Sequence, residues 1–163
     1  MTGTTPEIRT LQSQQEQLAH CLALLRDARR LVRIHSPDFT PWLYGHPEVV
    51  ELCKEFLLSH ERNRLQILLH DSRRILAEGH RMLPLVERLA SRAHIRIANP
   101  DHELFPDYWL SVDDHGMLLQ TASEASQARA VRNSPLHVRR YHEQFDSMWE
   151  VARPDINLRR MPL

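Results

Sequence analysis

Lysine is almost missing from this chain. Of its 163 residues, 20 are Arg and one, Lys54, is Lys. Any mechanism that needs a lysine therefore has a single candidate, on a predicted helix. There are only four glycines, with no GxGxxG and no GxxxxGK[ST], which excludes a Gly-rich phosphate loop. The two cysteines, Cys21 and Cys53, exclude a disulfide scaffold and a Cys-rich zinc site. No apolar run approaches the roughly 20 residues that cross a bilayer, so no membrane span is expected. The first residues lack the charged-then-apolar pattern of an export signal, and a reduced, cytoplasmic location is expected. An excess of charge is absent too. Basic and acidic residues number 21 each and the pI is about 7.2, which argues against a strongly cationic nucleic-acid binder but leaves room for a local basic patch.

What remains is an ordinary globular composition, 42% hydrophobic and 26% charged, with two biases. Arginine in place of lysine fits GC-rich coding. Eleven histidines make metal binding and pH dependence worth testing. The expected layout is a flexible stretch at 1–6, one domain over 7–152 and a loose tail at 153–163.

The chain reads as alternating elements. From Pro6 to Arg30, Leu11, Leu18, Leu22 and Leu25 recur at helical spacing. Leu31-Val32-Arg33-Ile34-His35 is a short strand, closed by Ser36-Pro37-Asp38. Pro47 opens a helix to Ser59 with a broad apolar face. Leu65 to His70 is a second strand, and a helix runs from Asp71-Ser72 to about Ser91, kinked at Pro84. His94 to Ala98 is a third strand. Tyr108–Val112 and Met117–Thr121 flank a hairpin turn at Asp113-Asp114-His115-Gly116. Ala128–Arg132 is a sixth strand, and the last helix carries Val138, Tyr141, Phe145, Met148 and Trp149. Strands alternating with helices through the first hundred residues imply right-handed crossovers and parallel pairing.

The second half resembles the phospholipase D superfamily. Tyr108-Trp109-Leu110-Ser111-Val112-Asp113-Asp114, followed by Met117-Leu118-Leu119-Gln120-Thr121-Ala122-Ser123, is similar to the family's strand ending in Asp, hairpin, and second strand leading into a Gly-Ser-type loop. Arg132-Asn133 and the ending Phe145-Asp146-Ser147-Met148-Trp149 are similar to its Asn-bearing strand and Phe-x-x-x-Trp helix. The resemblance spans about residues 20 to 152 and implies an α/β fold, a mixed, mainly parallel sheet with helices on both faces. The family signature is His-x-Lys-x4-Asp, whose His attacks phosphorus and whose Lys holds phosphate oxygens. With Asp113 at the motif's Asp, Pro106 stands at the His and Tyr108 at the Lys. Proline is no nucleophile, and tyrosine carries no fixed positive charge for a phosphoryl transition state. Gln120-Thr121 stands where Gly-Ser is usual. The resemblance therefore implies a single degenerate repeat with the chemistry lost. Because active members pair two repeats, it also implies a homodimer.

In open α/β sheets, ligands bind at the carboxyl ends of the strands. His35, His70, Asp71 and His102 lie at or just past the ends of three predicted strands and form one candidate ligand set. Asp113 and Arg132 join it through the resemblance. Imidazoles and a carboxylate suit zinc when neutral and an anion when protonated, while Asp71 and Asp38 read more simply as turn and cap residues. Three functions follow. The first is a noncatalytic binding or regulatory domain for a phosphate-bearing ligand, either a nucleotide or nucleic acid. The second is a metal-assisted phosphodiesterase using the strand-end histidines. The third is an accessory domain docking on a separate enzyme. No cofactor is expected. Trp42, Tyr44, Tyr108 and Trp109 are candidate stacking residues.

Overall fold

The computed structural model describes residues 5–102, 104–120, 127–155 and 158. Its strands are β1 (Glu7–Leu11), β2 (Leu31–Ser36), β3 (Arg64–Leu69), β4 (Ala93–Ile97), β5 (Tyr108–Val112), β6 (Gly116–Gln120) and β7 (Ala128–Arg132). Its helices are α1 (Gln14–Arg26), α2 (Pro41–Tyr44), α3 (Pro47–Ser59), α4 (Arg73–Glu78), α5 (Leu83–Arg88) and α6 (Pro135–Glu150). All seven strands form one sheet in the order β1-β7-β6-β5-β2-β3-β4.

The sheet is mixed, with helices on both faces, as expected. The balance differs from the expected one: β2–β3 and β3–β4 are parallel, whereas β2–β5, β5–β6, β6–β7 and β1–β7 are antiparallel. Helical crossovers force parallel pairing only in the first half. After β4 the chain returns beside β2, a three-residue turn joins β5 to β6 as an antiparallel hairpin, and β7 and β1 add antiparallel pairs beyond β6.

Alternation along the strands sorts the core into two layers. Val32, Ile34, Leu65, Ile67, Leu110 and Val112 pack with the α1 and α3 side, where Leu24, Leu25, Cys21 and Cys53 are buried. Both cysteines are free, and burial pushes both thiols up, as befits small hydrophobes rather than nucleophiles. Leu68, Trp109, Met117, Leu119 and Val131 pack on the other side with Val138, Tyr141, Phe145 and Met148 of α6.

Two local expectations are corrected. The first turns of the supposed 6–30 helix are strand β1, an edge strand with only Leu11 buried, and the helix begins at Gln14. Ser13 Oγ accepts from Glu16 N–H at 3.1 Å, and Glu16 Oε1 accepts from Gln12 N–H at 3.1 Å, a reciprocal cap that starts α1. The 72–91 helix is two short ones, α4 and α5. The break lies at Gly79, whose φ of +74° stops α4, and Pro84 sits harmlessly in the first turn of α5. At Gly116 a Cβ would lie 2.5 Å from Leu24 Cδ2, so any larger residue there requires the buried Leu24 side chain to shift.

Candidate functional site

Strand pairing decides which candidates meet. β2 and β3 are parallel neighbours, so their carboxyl ends lie side by side and bring His35 to His70. His35 is fully buried, and His70 follows β3, with its backbone N–H held by Pro37 O at 3.0 Å. The two Nε2 atoms are 2.9 Å apart, and His35 Nδ1 is 2.9 Å from the backbone oxygen of Asp107.

This geometry fixes the protons. A carbonyl only accepts, so His35 donates from Nδ1 and its Nε2 is the acceptor. His70 then donates from Nε2, and its Nδ1 is the free acceptor end of the chain. Burial above all, then the neighbouring His70, hold His35 down to about 4 against the Asp107 bond. Burial also lowers His70, opposed by Asp71. Protonating His35 would set two donors face to face, whereas protonating His70 leaves the pair intact and adds a donor at Nδ1. At neutral pH the pair is uncharged.

The surroundings are aromatic. The Tyr108 ring stands edge-on to both imidazoles, with centroids 5.3 Å from His35 and 5.6 Å from His70. Trp109 lies opposite His35 in the ladder. The Asp107 carboxylate accepts from Tyr141 Oη–H at 2.9 Å, tying α6 to the segment that holds His35; burial, then that bond, push the Tyr141 phenol up to about 12. Farther along the same face, Ser111 Oγ and His142 Nε2 share a hydrogen bond of 2.8 Å, and burial, then Arg33, keep His142 near 4. Arg33 lies over the Phe145 ring and pairs with Asp146 at 2.8 Å.

The other sequence candidates separate from this pair. Asp71 accepts from Arg73 N–H at 3.0 Å in a turn, and the bonds from Arg73 lower its carboxyl. His102 is exposed in the loop after β4 and makes no bond or ring contact with the pair among the described residues. Asp113 lies at the far end of the sheet, because β5 runs antiparallel to β2. Its carboxylate accepts from the backbone N–H groups of Arg29, Arg30 and Leu31 at 2.9, 2.8 and 2.9 Å, and its φ is +53°. Arg132 is also at that end, paired with Asp27 at 3.0 Å. Residues 121–126, which include Thr121 at the expected Gly-Ser position, lie outside the described residues. Among the described residues no group of three or more His, Cys, Asp and Glu side chains has metal-binding geometry, and both nitrogens of His35 are already engaged.

Sequence reasoning missed Asp107, Tyr141 and His142. Their contacts come from α6 folding back over the sheet, a proximity that no local spacing encodes. The one available signal was that Asp107 directly precedes β5, opposite the end of β2.

Residues 13–161 match the model of a family described as Domain of unknown function, DUF7931. The chain belongs to that family. Comparison with curated proteins gives no match. Among solved structures, this DUF7931 chain is similar to Nuc from Salmonella typhimurium, a phospholipase D family member, with 15% identity over 93% of this chain and 99% of that one and a TM-score of 0.61. NucT from Helicobacter pylori gives 11% identity, 93% and 100% coverage, and a TM-score of 0.61. TrmBL2, an archaeal chromatin protein described as showing a novel mode of DNA binding, gives 13% identity, 91% and 54% coverage, and 0.62. The DUF7931 chain thus spans nearly all of Nuc and NucT and about half of TrmBL2. These likenesses establish a phospholipase D-like fold. No helix among the described residues is long and apolar enough to cross a membrane.

Proposed function

We propose that this chain is a single, degenerate phospholipase D-like unit that binds a phosphate-bearing ligand without hydrolysing it. One observation carries the reading. Of the three signature positions, only Asp113 keeps its family residue, and here it holds three backbone N–H groups in the turn before β2. Pro106 and Tyr108 stand where a nucleophile and a cation would be needed. A phospholipase D-like fold in a chromatin protein, TrmBL2, supports a use of this scaffold other than catalysis. Trapping of His35 between Asp107 and His70 weighs against the metal-assisted alternative. The homodimer and the separate enzyme partner stay within the proposal, as the setting in which such a binding unit acts.

The binding end is the histidine pair. With His70 neutral, its Nδ1 accepts, so an anion is repelled by the lone pair. With His70 protonated, Nδ1–H donates to a phosphate oxygen, and His35 keeps the ring in place. Phosphate affinity at this end is expected to rise as pH falls through the lowered pKa of His70. The test has two readings. Bis(p-nitrophenyl) phosphate is expected to show no turnover, while inorganic phosphate at mildly acidic pH shifts the His70 ring signals in NMR. Turnover that disappears in His35→Ala and His70→Ala would overturn the noncatalytic reading. Unmoved His70 signals would remove the ligand from the pair.

A further inference from the structure

A second basic feature lies away from the histidine pair, on the other face of the sheet. β1 and β7 form its edge, in a register that sets Glu7 opposite Arg132 and Arg9 opposite Ala130. These residues share the face covered by α1. There the small side chains of Ala19, Ala23 and Ala130 leave a hollow of about 160 Å³, which Glu7, Arg9, His20 and Arg132 also line. Three nitrogen-bearing side chains thus converge from three different elements.

Their partners leave capacity for a ligand. The Arg9 guanidinium makes no hydrogen bond or ion pair among the described residues. Arg132 spends one nitrogen, Nη1, on Asp27 and keeps its other donors. His20 is 4% exposed and donates from Nε2 to the backbone oxygen of Met117 at 2.9 Å, and its other ring nitrogen has no partner. A guanidinium pair over a small-residue floor is a geometry for a tetrahedral oxyanion, since each planar fork reaches two oxygens. The volume admits one such group and a few waters.

We propose that this hollow is an oxyanion site that takes a phosphate group on the guanidinium groups of Arg9 and Arg132, with His20 behind them. It extends the reading of a phosphate-bearing ligand to residues that reading does not use, so the two fail separately. Burial most disfavours protonation of His20, the bond to the Met117 oxygen favours it, Arg132 on β7 and Arg9 on β1 disfavour it, and Glu7 on β1 favours it. A bound phosphate anion offsets the repulsion from the two arginines, so binding is expected to be accompanied by proton uptake at His20.

The test is an NMR titration of the full chain with inorganic phosphate at mildly acidic pH, following the His20 and His70 ring signals together. Saturable movement of His20 is expected. Arg9→Gln alters an exposed side chain and is expected to fold normally; it should weaken binding about tenfold, the scale of one hydrogen bond to a charged group. Arg132→Gln should do likewise, with thermal melting as the check on its lost pair to Asp27. Glu7→Gln should tighten binding, which a merely structural role for the hollow would not produce. Unmoved His20 signals at millimolar phosphate, or equal affinity in wild type and Arg9→Gln, would overturn the site. Movement of His70 alone overturns it and leaves the pair's reading standing; movement of His20 alone does the reverse. A short oligothymidylate separates the sources. A shift only with its 5′-phosphorylated form assigns a terminal phosphate, equal shifts with the 5′-hydroxyl form assign the backbone, and no shift with either assigns the free ion.

Discussion

Strand β5 joins two ends of the sheet that have different fates. It starts at Tyr108, beside an uncharged pair of histidines of which His35 is buried, and it leads into Asp113, a carboxylate saturated with backbone N–H groups. In the alignment proposed above, both ends carry positions of the phospholipase D signature. At the start, the proposed alignment puts Pro106 and Tyr108 at the positions of the nucleophile and the cation. At the finish, one carboxylate closes the turn that launches β2, and it is kept. Under the proposed noncatalytic reading, Asp113 is kept for the turn it holds rather than for activity.

The sharpest way to break this contrast is at Asp113. Asp113→Ala removes the acceptor for Arg29, Arg30 and Leu31 and places alanine at a φ of +53°. A loss of about 3 kcal/mol is expected, roughly 1 kcal/mol per bond, seen as a lower urea midpoint at unchanged slope. Asp113→Asn tolerates the left-handed backbone and keeps one accepting oxygen for Arg30 and Leu31, so it should lose much less. Equal losses in both variants would show that charge, not acceptor geometry, holds the turn.

At the histidine end the expected effect is tied to pH. His35 ionises near 6.5 when unfolded and near 4 when folded. Below 6.5 the unfolded chain takes up a proton that the folded chain refuses. The stability is therefore complete above about 6.5 and is lost as pH falls toward 4. Between pH 7 and pH 5 His35 should account for about 2 kcal/mol, from 1.36 kcal/mol per pH unit. Urea melts at both pH values measure the total loss, to which His142 contributes in the same direction. His35→Gln should remove the share of His35. An unchanged pH slope in that variant would mean that His35 is charged in the folded state, and the proton assignment of the pair would fail with it.

The same two ends show how far the sequence could be read. Strands β2 to β7 were legible because each is a short apolar run between turn residues, including β4 at the far edge. β1 was not, because four of its five residues are exposed and it takes its shape from pairing with β7. Yet Ser13 and Glu16 carried a legible signal for the start of α1. His35 and His70 were legible together because parallel neighbours end side by side. Asp113 and Arg132 were grouped with them in error of place, since β5 and β7 run against β2 and their carboxyl ends lie at the opposite edge. Asp107 and Tyr141 were illegible, being joined only when α6 closes over the sheet.

That last junction gives the smallest and most local test. Tyr141→Phe keeps the ring against Trp109 and removes only the hydroxyl that donates to the Asp107 carboxylate. About 1 kcal/mol should be lost, the ordinary worth of one hydrogen bond. The informative readout is elsewhere. The backbone oxygen of Asp107 is what makes His35 donate from Nδ1. If Tyr141 positions that segment, the His35 and His70 ring signals should move in Tyr141→Phe while amides around Asp113 stay still. Movement at both ends would instead mean that α6 braces the whole sheet, and the two ends would no longer be independent. Still signals at His35 would mean that β5 and β2 alone hold the pair, leaving the tyrosine as a surface clasp.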